Sequence, residues 1–221
     1  MQGDPFGAYA DANLTELEEA ALAWLEGFYQ LEHLLAARSW AIRLAGQASP
    51  ELKFAALVHD AERFFPGGPS STPQDGFDDP DYLFDHSRRS ADIVDGWLDA
   101  RPEAFSEVFR RRVRALILRH EIGGNTEEDI LQAADSLAFL STFDWLVVHW
   151  VKAGHYTVDG ACEKLDWMMT RIRVQQAVKL ALPIYSSIVQ ALKCPDTITV
   201  DLEARRELAG CSAYLLGTMS R

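Results

Sequence analysis

The sequence has few cysteines and no long apolar run. Its three cysteines, Cys162, Cys194 and Cys211, are odd in number and widely spaced, so they indicate neither a disulfide framework nor a cysteine-based metal motif. No uncharged stretch approaches the roughly 20 apolar residues of a membrane-spanning helix. The first residues lack the basic and apolar segments of a secretion signal. These absences favour a reduced, cytoplasmic protein that does not bind a membrane.

Positive charge is also scarce. Lysine and arginine together number 21, against 33 aspartates and glutamates, which gives a formal net charge of −12. A nucleic-acid-binding surface needs a basic stripe to neutralise phosphates, so we expect no nucleic-acid partner. A small anionic substrate would have to meet local positive charge, from metal ions or from a few arginines. The chain also lacks a glycine-rich phosphate loop.

What the sequence does contain is apolar residues at helical spacing. Hydrophobic residues make up 48% of the 221, which is typical of a globular chain with a sizeable core. No strand-like alternation of useful length occurs, so the predicted fold class is all-α. The predicted organisation is a flexible N-terminus over 1–12, a helical bundle over 13–155 and a C-terminal helical extension over 156–221, packed on the same domain as a cap.

Caps, prolines and glycines predict the ends of these helices. Asn13 or Thr15 caps the first helix, the second carries His33 and ends near Gly46, and Pro50 opens the third. The later predictions are a helix over 81–100, one from Pro102 to about His120, one from Thr126 to about Gly154, helical structure over 158–193 with a kink or break at Pro183, and a last helix over 201–216.

The polar pair His59-Asp60 stands at the end of an apolar run, 54–58. Burying such a pair without partners would cost several kcal/mol. A bound metal ion removes that penalty, because imidazole suits transition metals and a carboxylate can bridge two cations. The helix from His33 to Gly46 climbs about 20 Å, and 51–59 returns most of that distance. His33 should therefore lie opposite His59-Asp60.

Further residues in helical contexts extend the pattern to His…His-Asp…His…His…Asp. Over roughly residues 20–155 this pattern resembles the HD superfamily of all-helical, metal-dependent phosphohydrolases. The segment 33–45 resembles the first-histidine helix of that family, and 133–137 resembles its closing Ala-Asp motif. The resemblance implies a first metal held by His33, His59, Asp60 and Asp135, and a second held by His86 and His120 with Asp60 as the bridge.

The resemblance also implies a function. We expect a phosphohydrolase that acts on a small phosphorylated metabolite or nucleotide through a metal-activated hydroxide. One or two divalent transition-metal ions should bind, with Mn, Fe, Co or Ni favoured over Mg or Zn. The alternatives are an HD-type di-iron oxygenase, which uses the same ligands, and a non-catalytic binding module that has kept its metal. A homodimer is possible.

Beyond the ligands, Asp60 and Glu62 are the candidate catalytic residues. Glu62 follows Asp60 by two positions, whereas three is expected of the family's catalytic glutamate, so an exposed helix residue is the alternative. Arg63, Arg88 and Arg89 are candidates for binding the substrate's phosphate, because guanidinium groups bind phosphate in two-pronged fashion. The basic run 110–119 is more typical of a solvated face.

Lys164 and Arg171 are the last candidates for substrate binding. They are seven residues apart, so they share a helix face, and they flank an apolar stripe that would pack on the bundle. We therefore expect both to reach over the metal site and bind an anionic group. The alternative is that they are solvated or pair with Glu163 and Asp166. His149 has no place in the pattern and is expected to be a core or surface histidine.

Overall fold

The structure, a computed structural model, describes residues 14–69, 76–101 and 105–194. Within these ranges the regular structure consists of helices, without a strand, so the prediction of an all-α fold is confirmed for them. The helices are α1 Glu16–Trp24, α2 Leu31–Ala45, α3 Pro50–Val58, α4 Pro80–Asp99, α5 Glu107–Arg119, α6 Thr126–Thr142, α7 Asp144–Lys152, α8 Val158–Thr170 and α9 Gln175–Leu192, with a short 3₁₀ helix at Ala61–Phe64 between α3 and α4.

Some of the sequence predictions lie outside the described residues. These are the flexible segment 1–12, the cap at Asn13, the last helix over 201–216 and the cysteine at 211, together with residue Pro102 itself. In the described ranges, no helix combines the length and the apolar character that crossing a bilayer requires.

Most helices begin where the sequence supplies a capping side chain. Thr15 accepts a hydrogen bond from the backbone N–H of Glu18 and opens α1. Ser49 does the same for α3, which has Pro50 in its first turn, and Asn125 opens α6 in a capping box with Glu128. Because a cap satisfies backbone donors that have no partner inside the helix, these starts could be read from the sequence.

Two predicted boundaries are wrong. The helix expected to continue to about Gly154 ends at Thr142, and a new helix starts at Asp144. The hydroxyls of Ser141 and Thr142 donate to backbone carbonyls one turn back, at 2.8 Å each, and such bonds compete with regular helix geometry. The helix ending near His120 begins only at Glu107, where Ser106 supplies the cap.

Pro183 does not break its helix, contrary to one of the two outcomes expected for it. Helix α9 runs through Pro183 from Gln175 to Leu192. A proline inside a helix removes one backbone hydrogen bond and leaves a carbonyl one turn back without its partner. Because Pro183 and its neighbour Leu182 lie on the exposed face of α9, water can satisfy that carbonyl.

The core lies around α2, which packs most extensively against α6 and α3, while α4 packs against α5. A second apolar cluster joins α6 to α7, α8 and α9, so these later helices cover the outer side of α6. A buried ion pair ties α1 to α2, with Arg38 Nε 2.6 Å from Glu18 Oε1. This packing brings the last turns of α3 and α5 next to the first turn of α2, where the histidines lie.

Candidate metal centre

Asp60 lies between two groups of histidines, and all of these residues are buried. One group is His33, His59 and Asp60, and the other is Asp60, His86 and His120. Within each group one potential ligand atom per residue lies within 4.8 Å of the others. A single carboxylate is therefore shared by two sets of imidazoles, and this buried cluster could hold metal.

Two of the rings are fixed by the ends of their own helices. His59 follows the last residue of α3 and donates from Nδ1 to the carbonyl of Ala56 at 3.0 Å. His120 follows the last residue of α5 and donates from Nδ1 to the carbonyl of Ile117 at 2.7 Å. The last carbonyls of a helix have no partner inside it. Each ring is anchored at such a carbonyl and turns its Nε2 atom into the cluster, where it lies 4.0 Å from Asp60 Oδ1 for His59 and 3.9 Å for His120.

The other two rings are held by side chains. His86, in the second turn of α4, donates from Nδ1 to Glu62 Oε1 at 2.8 Å, and its Nε2 lies 2.9 Å from Asp60 Oδ1. His33, in the first turn of α2, stacks on Phe143 with ring centroids 5.1 Å apart. Phe143 stands at the break between α6 and α7, so that break supplies one wall of the site.

A second carboxylate accompanies each pair of histidines. Asp135 Oδ1, from α6, lies 3.2 Å from His33 Nε2 and 3.3 Å from His59 Nε2. Glu121 Oε1 lies 3.6 Å from His120 Nε2 and 3.8 Å from His86 Nε2. The sequence reasoning missed Glu121. Its signal was available, because Glu121 follows His120 just as Asp60 follows His59.

Arg171 joins these two carboxylates. Its side chain is 7% exposed and forms ion pairs with Glu121 and Asp135, and its Nε donates to the hydroxyl of Ser136 at 2.8 Å. The sequence analysis expected Arg171 to bind the substrate. It does lie beside the candidate ligands, but its guanidinium group is already engaged by residues of the chain.

Arg63 stands on the other side of Asp60. Its Nε lies 3.2 Å from Asp60 Oδ2, and its Nη1 donates to the hydroxyl of Tyr82 at 3.0 Å. Arg63 therefore orients the carboxylate that the two histidine groups share. It is close enough to the cluster to approach an anion bound there.

The electrostatics of the cluster follow from burial and close pairing. Burial alone would lower the pKa of His59, but the carboxylates of Asp60 and Asp135 raise it to about 9. Burial tends to raise the pKa of Asp60, yet Arg63 and His59 hold it well below its usual range. Burial acts in the same way on Asp135, and Arg171 and His33 outweigh it. The carboxylates are thus ionised and available to a cation.

The donor set fits divalent metal ions. Three carboxylates, those of Asp60, Glu121 and Asp135, face two guanidinium groups, those of Arg63 and Arg171. The remaining negative charge raises the pKa of His59 to about 9, so its ring carries a proton whose place a metal ion would take. Within the described residues, the buried Nε2 atom of His120 has no hydrogen-bond partner. Imidazole nitrogen and carboxylate oxygen together suit transition metals. The residues present can therefore hold such ions on both sides of Asp60.

A cavity of about 110 Å³ opens onto this cluster. Of the candidate ligands, His33, Asp60 and Asp135 line the cavity, and so does the neighbouring Glu121. Its remaining wall is mostly aromatic and comes from the loop before α4 and from α6, α7 and α8, among other elements: Tyr29, Phe77, Tyr82, Phe139, Phe143, Trp150 and Trp167. Arg63, Lys164 and Arg171 line the same cavity.

Lys164 differs from the two arginines. Its Nζ lies over the rings of Phe77, Phe139 and Trp167, at 4.9, 5.5 and 5.5 Å from their centroids. Among the described residues it has no ion pair and no hydrogen bond. Burial, together with nearby Arg63, lowers the pKa of Lys164 to about 8. An ammonium group without a carboxylate partner therefore faces the cavity.

The remaining candidates lie outside this cavity. Arg88 is half exposed and pairs with Asp85 and Asp92 on its own helix. Arg89 donates to the carbonyl of Pro66 at 2.6 Å. These placements give no support to substrate binding by Arg88 or Arg89. The basic run on α5 also pairs with acidic side chains, through Arg110, Arg111, Arg112 and Arg114.

Glu62 is fully buried, so the alternative of an exposed helix residue is wrong. Its carboxylate contacts the Nδ1 side of His86, whereas the Nε2 side faces Asp60. A catalytic role for Glu62 remains a prediction, and this placement favours orienting the ring instead. His149 is buried as well, outside the two histidine groups.

Comparison of the chain with protein-family models, with curated proteins and with solved structures gives no match in any of the three. Inferences about function therefore depend on the geometry of the cluster and its cavity.

Proposed function

We propose that this chain is a metal-dependent phosphohydrolase of the HD type, which acts on a small phosphorylated metabolite or nucleotide. The observation that carries the proposal is the position of Asp60, shared by two histidine groups at the wall of a cavity. Two-metal centres of this kind are common among phosphoester-cleaving enzymes. The imidazole-rich donor set favours Mn, Fe, Co or Ni over Mg, which prefers oxygen ligands.

The ligands divide between two ions in this proposal. His33, His59 and Asp135 would hold the first ion and His86 and His120 the second, and Asp60 would be a ligand common to both. Glu121, which faces the second pair, adds a carboxylate to that side. When bound, such ions lower the pKa of a coordinated water and polarise a phosphoryl oxygen.

The chain's own residues then position the bridge and the substrate. Arg63 fixes one oxygen of Asp60 at 3.2 Å and leaves the other facing the histidines. Lys164 binds the negative charge of the substrate, because it is a cavity cation with no acidic partner among the described residues. The aromatic wall excludes water, which strengthens this contact. Arg171 holds Glu121 and Asp135 in place and is a positioning residue.

The test begins with metal content and phosphate release. The metal-free full-length chain is loaded separately with Mn, Fe, Co, Ni and Mg, and a panel of small phosphomonoesters and nucleotides is screened. We expect about two transition-metal ions per chain and metal-dependent release of phosphate. A chain that binds the ions but releases no phosphate across the panel would support the non-catalytic binding module. A stable, oxygen-sensitive mixed-valence iron signal without phosphatase activity would support the di-iron oxygenase.

The roles of the two cavity cations are separated by substitution. Lys164→Gln should keep both ions and raise the KM about tenfold, because it removes a contact to the substrate. Arg171→Gln should instead lower metal content, because Glu121 and Asp135 lose the charge that holds them. If Arg171→Gln keeps its ions and only the KM rises, Arg171 is the substrate-binding group, as the sequence alone led us to expect.

A further inference from the structure

Behind His86 lies a second layer of buried charge. Glu62 belongs to the short 3₁₀ helix that follows Asp60, and its side chain is fully buried. Its Oε1 accepts the Nδ1 proton of His86 at 2.8 Å. Among the described histidines around Asp60, His86 is backed by a carboxylate, whereas His59 and His120 are backed by backbone carbonyls. The support of the two histidine groups is therefore unequal.

Glu62 is itself held by α4, the helix that carries His86. Its backbone N–H donates to the hydroxyl of Ser90 at 3.1 Å. Its second carboxylate oxygen lies 3.5 Å from Arg89 Nε. Arg89 in turn donates from Nη2 to the carbonyls of Phe65 at 3.4 Å and Pro66 at 2.6 Å. A continuous series of polar contacts thus runs from His86 through Glu62 and Arg89 to the backbone after the 3₁₀ helix.

The backbone at Gly68 closes over this series. A Cβ atom at Gly68 would lie 2.3 Å from Arg89 Nε and 2.3 Å from Glu62 Oε2. Contacts that short are not tolerated, so a side chain at this position would push the two charged groups apart. Glycine lets the backbone cover the pair, which keeps water away from it and strengthens the interaction.

We propose that Arg89 and Glu62, covered by Gly68, form a support that fixes His86 for the second ion. All three are positioning residues and none contacts the substrate. A carboxylate behind a metal-binding histidine fixes the ring and its tautomer and makes the imidazole a better ligand. Arg89 lies beside the second carboxylate oxygen of Glu62, and this contact leaves the first oxygen aimed at Nδ1 of His86. This inference rests on the metal centre of the proposed function and not on hydrolysis.

The test measures the binding of two ions separately. The metal-free full-length chain is titrated with Co²⁺ by calorimetry, and bound ions are counted by elemental analysis. Glu62→Ala should lower the affinity for the second ion about 10–100-fold and leave the affinity for the first ion unchanged. Glu62→Gln keeps the hydrogen bond and the side-chain volume but removes the charge, so it should show a smaller loss in a chain that still folds.

Further variants test the other two members of the support. Arg89→Gln should lower the affinity for the second ion. Arg89→Lys should lose less of that affinity, because lysine keeps a positive charge beside Glu62. Gly68→Ala should also lower the affinity for the second ion, although it retains both Glu62 and Arg89. The matched control is Arg88→Gln, one position away on the exposed face, which should leave both affinities unchanged. Circular dichroism on each variant verifies the fold.

The outcomes separate this inference from the proposed function. Wild-type affinity for both ions in Glu62→Gln and Gly68→Ala would contradict the proposed role of the support. An equal loss of affinity for both ions in a folded variant would contradict it as well. A wild-type chain that binds fewer than two ions would overturn the support together with the two-metal centre. A chain that binds two ions, responds to the variants as expected and releases no phosphate would overturn hydrolysis alone.

Discussion

The two halves of the candidate metal centre offer the same kinds of potential ligand but are built from the chain in different ways. Each half has two imidazoles and a carboxylate close to them. In the first half, the carboxylate of Asp135 comes from the middle of α6, far along the chain from His33 and His59. In the second half, Glu121 directly follows His120. The first half thus depends on the packing of α6 against α2 and α3. The second depends on the packing of α4, which carries His86, against α5, whose end is followed by both His120 and Glu121.

A shared cation connects the halves. Arg171 pairs with Asp135 on one side and with Glu121 on the other, so the residue that directly follows α8 holds both carboxylates at once. Support behind the rings is unequal, since Glu62 stands behind His86 alone among the histidines of the two groups. An approximately symmetric set of potential ligands thus rests on an asymmetric scaffold. Two ions bound there would therefore not be expected to bind with equal affinity.

The largest expected effect comes from removing the residue that both halves share. Asp60→Ala should reduce bound metal from about two ions per chain to nearly none, and activity should fall to background, because the ligand common to both ions is lost. Elemental analysis and the phosphate-release assay measure the two quantities.

His149→Ala is the control for that experiment, because His149 is a buried histidine outside both groups. Its metal content should equal that of the wild type. Full metal occupancy in Asp60→Ala would contradict the central role of this residue and remove the basis for comparing two halves.

A smaller effect is expected from breaking one half at a time. His33→Ala should lose the first ion and His86→Ala the second, so each variant should keep about one ion per chain. His86→Ala should also lose most of its catalysis, because two ions act together on the phosphoryl group. Metal counts per chain, measured side by side, verify the prediction. If either variant loses both ions, the halves bind cooperatively and are not separable.

The smallest expected effect concerns the cavity beside both halves. Burial lowers the pKa of Lys164 to about 8, so Lys164 is charged below that pH and becomes neutral above it. Binding of inorganic phosphate, measured as an inhibition constant, should therefore weaken as pH rises through about 8, and the loss should level off near the roughly tenfold effect expected of Lys164→Gln.

The variants of Lys164 isolate this effect from other titrations in the cavity. Lys164→Arg keeps its charge throughout the range, so its curve should lack the loss near pH 8. Lys164→Gln should bind weakly at every pH, without that transition. Identical pH curves for the wild type and Lys164→Gln would show that Lys164 does not bind the anion.

Much of the centre could be predicted from the sequence, because it depends on residue type and spacing along helices. The pair His59-Asp60 ends an apolar run, and the return of the chain after Gly46 was expected to bring His33 opposite it. The structure places His33 Nε2 4.0 Å from Asp60 Oδ2. The helix starts near Thr15, Pro50 and Thr126 were predicted in a similar way, since caps and first-turn prolines act on backbone groups only a few residues away.

The partners of the charged residues could not be predicted in this way. From the sequence, Arg171 and Lys164 had the same expected role, because they lie seven positions apart on one helix face. In the structure their contacts differ. Arg171 meets two carboxylates, from the end of α5 and from α6, whereas Lys164 meets three aromatic rings. Glu62 could have been an exposed residue, and its burial behind His86 depends on how α4 packs against the 3₁₀ helix.

The sequence by itself therefore determined the all-α class and the set of histidines and aspartates that can bind metal. The first follows from the helical periodicity of apolar residues, and the second from the resemblance of the His…His-Asp…His…His…Asp pattern to a known family. Only the tertiary structure decided which charges are neutralised by the chain and which face the cavity. The physical reason is that the energy of a charge depends on its burial and on its neighbours within a few ångströms, and those neighbours come from distant parts of the sequence.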